Sequence, residues 1–150
     1  MRRLVAVLLL SAAFATVGKS PVASALPDWR PYIDAGETVA LALTTIDYRT
    51  VDRDVQHILD NATGVFYEDF KSRSAAFTEV VLDAKSTSVG TITESRLDST
   101  DAGKVKVFVA VTVTTTNEGQ PPKPPRDWRL VITVQKVDDA YKASNVEFLP

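Results

Sequence analysis

Residues 104–116, KVKVFVAVTVTTT, decide how this chain reads. Valine stands at positions 105, 107, 109, 111 and 113, with Lys104, Lys106, Phe108, Ala110, Thr112 and Thr114 between them. A period of two held over so long a run is the pattern of a β-strand with one buried face. β-branched side chains suit that pleated surface because they lose little rotamer freedom on it. A strand of this length is not stable alone. It needs partners on both edges and a cover over its valine face.

The flanking sequence supplies the partners. Residues 86–97 alternate more weakly and predict a polar strand, with Val89, Thr91, Thr93 and Ser95 on one face. Residues 98–103, DSTDAG, have turn composition and join it to the valine strand. On the other side, residues 117–126, NEGQPPKPPR, hold four of the eight prolines and predict a stiff exposed loop with polyproline character. Trp128, Leu130, Ile132 and Val134 then alternate along a third strand. Asp138-Asp139 predicts a two-residue connection to a fourth, residues 141–148. Strands joined this way form an antiparallel meander.

The cover comes from the preceding third of the chain. A helix is predicted over residues 34–46, with Asp34 as N-cap, Glu37 three residues later, and Val39, Leu43 and Ile46 on one side. Thr50 and Asp52 cap a second helix carrying Val51, Val55, Ile58, Leu59 and Ala62, which Gly64 ends in a left-handed turn. Residues 65–84 predict a third, with Phe66, Phe70, Phe77, Val80, Val81 and Ala84 along its apolar side. Arg73 interrupts that stripe and invites a carboxylate partner such as Asp47. Helices first and strands second make an α+β domain, about three helices packed on a four-stranded antiparallel sheet.

The N-terminus is separate. Arg2 and Arg3 precede an uncharged apolar run, residues 4–17, and an Ala-Ser-Ala triplet at residues 23–25. This describes a secretory signal, residues 1–25, either cleaved or kept as a single-pass anchor with its N-terminus inside. A short linker, residues 26–33, carries Trp29 between Pro27 and Pro31, and the domain proper is residues 34–150. The chain beyond residue 25 is expected outside the cytoplasm, membrane-attached or secreted to the cell envelope. It holds 14 of the 17 basic groups against all 19 acidic ones, a net −5, which repels polyanions and argues against a nucleic-acid partner. The chain has no cysteine, so disulfides, thiolate metal sites and cysteine nucleophiles are excluded. Nothing in it implies a cofactor.

Several separated phrases occur in a telling order: TIDYRTVD at residues 45–52, ATGVFYEDF at 62–70, DWRL at 127–130 and VEFLP at 146–150. In these the chain resembles the Mce-associated membrane proteins of mycobacteria and their actinobacterial relatives. The resemblance implies a cone-like α+β fold similar to nuclear transport factor 2 (NTF2-like, cystatin-like). It also implies an accessory role in lipid or sterol import, stabilising or bridging Mce importer subunits or other Mce-associated proteins outside the membrane.

Asp47, Tyr48 and Arg49 form the most polar cluster, at the junction of the first two helices, and are candidates for ligand or partner contact. Trp128 joins them as a candidate, because with the valine stripe and Leu130 it is placed to line a cavity inside a cone. An ordinary helix-breaking turn and an ordinary core are the plainer readings of the same residues. A lipid or sterol carrier with an apolar pocket is the alternative function. A second alternative is an isomerase or dehydratase, which requires carboxylates and tyrosines such as Asp47, Tyr48 and Asp60 to converge in an apolar interior. No catalytic motif is present, and the single histidine, His57, falls off the apolar stripe.

Overall fold

The computed structural model describes residues 27–150. The signal or anchor reading of residues 1–25 lies outside them. Among the described residues no helix is long and apolar enough to cross a membrane.

The elements run α1 (Arg30–Thr44), β1 (Ile46–Asp47), a 3-10 turn (Tyr48–Thr50), α2 (Val51–Asp60), α3 (Gly64–Ala84), β2 (Ser86–Asp101), β3 (Lys104–Asn117), β4 (Arg126–Val137) and β5 (Ala140–Leu149). The expected α+β architecture is present with one strand more than expected. The sheet has five strands in the order β1-β2-β3-β4-β5, every neighbouring pair antiparallel. The added strand is the two-residue β1, whose Ile46 and Asp47 lie opposite Ser88 and Thr87. A two-residue strand leaves no period to read in sequence.

The valine strand is the middle of the sheet, and its five valines are at most 5% exposed. Leu130, Ile132 and Val134 of β4 lie on the same face and are fully buried. α1 crosses that face closely, because its contact residues are small. A Cβ at Gly36 would stand 2.9 Å from a Val107 methyl, and Ala40 is fully buried. A second cluster, under α2 and α3, joins Ala42, Ile46, Val51, Val55, Ile58 and Val81.

Four boundaries differ from expectation. α1 begins at Arg30, not Asp34, so half of the expected linker is helical. Pro31 occupies its first turn, where a missing N–H costs nothing and the fixed φ suits a helix. The Asp28 carboxylate accepts the Arg30 N–H at 3.0 Å, while Asp34 lies inside the helix. Gly64 has the expected left-handed backbone, φ +57°, but it opens α3; α2 already stops at Asp60. β2 runs on to Asp101, so the expected turn over residues 98–103 shrinks to Ala102-Gly103, both at positive φ as a two-residue hairpin requires. Its face assignment also changes. Val89 and Thr91 point outward, a bulge falls between Ile92 and Glu94, and Ser95 then faces Val109 on the inner side. One extra residue reverses the phase of everything after it. The Asp138-Asp139 turn between β4 and β5 is as expected.

On α3, Phe66, Phe70 and Phe77 face inward in a row, their ring centroids 6.1 and 6.0 Å apart. Val80, expected on that side, is 67% exposed. Arg73 is exposed, and the carboxylate of Asp47 is occupied by Arg49 instead.

Candidate functional site

The chain leaves α1 at Thr45 in extended conformation, makes β1, and turns sharply through Tyr48–Thr50 into α2. Asp54, one turn into α2, holds this corner by accepting the Asp47 N–H at 2.9 Å and the Thr50 hydroxyl at 3.1 Å. The corner presents the three expected polar residues outward. Asp47 accepts from the Arg49 backbone N–H and from Nε, both at 2.9 Å, and from the far guanidinium nitrogen at 2.5 Å. Donation from the Arg49 side chain, then from its backbone, lowers the Asp47 pKa from 3.8 to about 2. The Tyr48 hydroxyl donates to Glu118 Oε2 at 2.9 Å, across 70 residues of chain. That bond is the main reason the Tyr48 pKa is raised; partial desolvation and the negative charge of Glu118 add to it. Lys85, at the end of α3, lies 3.9 Å from the same Glu118 oxygen.

Asp47, Tyr48 and Arg49 are therefore together, tied to the start of the loop between β3 and β4. They are not inside the molecule. Tyr48 and Arg49 border an open cleft of about 450 Å³ with Val51, Asp52, Arg53 and the 47% exposed Leu82. Asp60 is elsewhere, exposed at the end of α2 and bonded by the Gln56 amide at 2.8 Å. The three residues named for an acid–base site do not converge. His57 is exposed, as expected.

Trp128 stands apart from that cluster. It lies near the start of β4 on the inner face, opposite Val111, with its ring 5.6 Å from and edge-on to Phe148. One side of it borders an open cleft of about 400 Å³ with Asp127, Arg129, Phe148 and Leu149. Its other side faces the mouth between α1, α3 and the sheet, a cleft of about 160 Å³ whose lining includes Leu43, Phe77 and Val113. The expected cavity along the valine stripe is largely filled. Val105, Val107, Val109 and Leu130 are packed core, and only the Val113 end stays open. Phe148, 54% exposed, was missed in the sequence, since its strand alternates too weakly to separate an edge position from a core one. Trp29 docks on the core beside Tyr32, at 5.9 Å between rings, the plainer of its two expected placements.

No group of acids and histidine suited to a metal ion occurs among the described residues. Every buried side-chain nitrogen or oxygen there has a hydrogen-bond partner. The polar chemistry is thus on the surface, in charge pairs open to water.

The profile of the family described as "Uncharacterized protein Rv1363c/MT1408-like" matches residues 3–150. The chain belongs to that family. The Rv1363c protein of Mycobacterium tuberculosis, strain H37Rv, is 37% identical to it over 108 residues, which are 72% of this chain and 41% of that protein. The chain thus matches less than half of that relative's length. Among solved structures the Rv1363c/MT1408-like fold is similar to the periplasmic domain of DotI, with TM-score 0.68 at 13% identity, covering 85% of this chain and 99% of that one. It is also similar to an IcmL-like type IV secretion system protein of Legionella pneumophila, with TM-score 0.65 at 17% identity, covering 83% and 94%. At such identities the likeness is one of fold.

Proposed function

We propose that this chain is a non-catalytic accessory domain working outside the cytoplasm, which holds together subunits of an envelope assembly through surface contacts. The observation that carries the reading is the fold. It is shared almost end to end with a periplasmic domain and with a secretion-system protein, both parts of machines built at the cell envelope. The basic, then apolar, N-terminus places the domain on the same side of the membrane. The site geometry agrees. Asp47, Tyr48 and Asp60 are solvated rather than gathered in an apolar interior, so none has the raised carboxylate pKa that acid catalysis at neutral pH needs. The phrases shared with Mce-associated proteins make the assembly an Mce-type lipid importer.

A sterol or lipid carrier is less well supported. The inner cleft of about 160 Å³ is smaller than the roughly 300–1,000 Å³ that usually encloses a drug-sized ligand. The test is crosslinking in whole cells of the native host, followed by affinity capture of the full chain. Importer subunits of the Mce type are the expected neighbours. Repeated recovery of envelope proteins from some other assembly would transfer the accessory role to that assembly. Recovery of the chain alone would remove it.

A further inference from the structure

We infer that the mouth of the fold under Trp128 is a binding site for a small amphiphilic carboxylate carrying one apolar group of about ring size. This goes beyond the accessory role and does not depend on it. Two clefts meet there. One, about 160 Å³, has Leu43, Phe77 and Val81 above it and Val113 below. The other, about 120 Å³, is bordered by Lys123, Pro124 and Arg126. Val113, Thr115 and Trp128 line both, so the two are compartments of one groove, apolar at its inner end and cationic at its outer end.

The hydroxyls in the inner compartment are already engaged. Thr44 donates to the Ala40 carbonyl at 2.7 Å, Ser88 accepts the Ile46 N–H at 3.3 Å, and Ser86 donates to Asn117 at 2.8 Å. A ligand there meets no hydrogen-bond demand and gains by burying apolar surface. An apolar cavity of about 150 Å³ takes a benzene-sized group, so the inner compartment fits one ring. At the outer end, Lys123 and Arg126 make no salt bridge among the described residues. Asp127, the acid next to Arg126, lies on the opposite face of β4, where it accepts the Thr112 hydroxyl at 2.8 Å. Glu118 is taken by Tyr48 and Lys85. The two cations are thus free to receive an anion, and the backbone bond from the Lys123 N–H to the Thr115 carbonyl, 3.3 Å, keeps the loop over the groove.

The chain carries its own reporters. Its two tryptophans are at 29 and 128. Trp29 caps the start of α1, and Thr44, which lines the groove, ends it, a separation of about 22 Å for a 15-residue helix. The experiment titrates 3-phenylpropionate into the full chain while following both indole N–H resonances. The expected result is a saturable shift of Trp128 with Trp29 unmoved. The uncharged analogue 3-phenyl-1-propanol should bind about tenfold more weakly, and the double variant K123E/R126E should weaken the acid by a similar factor, the order expected for two rim charges reversed. Both substitutions are on exposed residues, and circular dichroism checks that the variant is folded. Equal affinity for acid and alcohol would overturn the cationic half of the site. Parallel, unsaturable movement of both indoles would overturn the site altogether.

Discussion

α1 and α3 are both helices laid against the same sheet, and they do opposite jobs. α1 has 15 residues and buries Gly36, Val39, Ala40, Ala42 and Thr44. α3 has 21 residues and buries only Val81. The shorter helix is a strut sunk into the valine face, touching β2, β3, β4 and β5. The longer one leans on α2 and β5 through three half-buried phenylalanines and leaves Val65, Val80 and Leu82 in water. Most helical stability in a folded protein comes from packing one face, not from length. Stability in this fold should therefore concentrate where α1 meets the sheet, while α3 and the nearby corner at Tyr48 remain surface that another molecule can use.

The largest expected effect is in the core that α1 covers. Leu130→Ala removes a fully buried side chain facing Val109 and should cost about 4 kcal/mol, measured by chemical denaturation. A loss below about 1 kcal/mol would mean that the sheet face is less tightly packed than described here. Next comes the contact itself. Gly36→Val places branched carbons against Val107, whose own side chain is too stiff to move aside. Overpacking of this kind should cost about 3 kcal/mol. An unchanged midpoint would show that α1 can ride away from the sheet.

Adjacent valines on α3 then sharpen the contrast. Val81 is 6% exposed and Val80 is 67% exposed. Val81→Ala should cost about 2 kcal/mol, and Val80→Ala should stay within about 0.5 kcal/mol, helped by alanine's better helix propensity. Equal effects at both positions would mean that α3 has a second buried face, such as a self-association surface. Repeating the measurement at several protein concentrations would reveal it.

The same contrast explains what could be read without coordinates. The valine strand, the Trp128-to-Val134 alternation and the Asp138-Asp139 turn were legible because each is a strong period or a strong turn signal with one buried face. The start of α1 was not. Pro31 is a breaker for the residue before it and a good first-turn residue in a helix, and only tertiary contacts decide between these. Val80 was misplaced because four apolar residues follow one another at Val80, Val81, Leu82 and, after Asp83, Ala84, so the stripe has no sharp edge. The phase of β2 was hidden by a bulge whose residues, Thr and Ser types throughout, suit either face. Of the candidate site, the polar corner was legible as a cluster. Its tie to Glu118 was not, since a hydrogen bond spanning 70 residues leaves no local pattern.

The smallest effect belongs to that corner, and it is read best in acid. Asp47 has its pKa lowered in the folded chain, from 3.8 to about 2, by the Arg49 side chain and backbone. A group whose folded pKa is depressed adds stability above its unfolded pKa. That contribution shrinks as pH falls through the interval and is gone below the folded value. The folded chain should therefore lose the Asp47 contribution between about pH 4 and pH 2. Asp47→Asn cannot titrate, so its stability should fall less steeply over that window, with the two proteins nearly alike at its acid end. The pair is fully solvated, so the difference at neutral pH should be small and should shrink further in high salt. Identical slopes for both proteins between pH 4 and 2 would mean that the ion pair forms no more in the folded chain than in the unfolded one. The corner would then rest on Asp54 alone, whose two hydrogen bonds hold the turn without any help from Arg49.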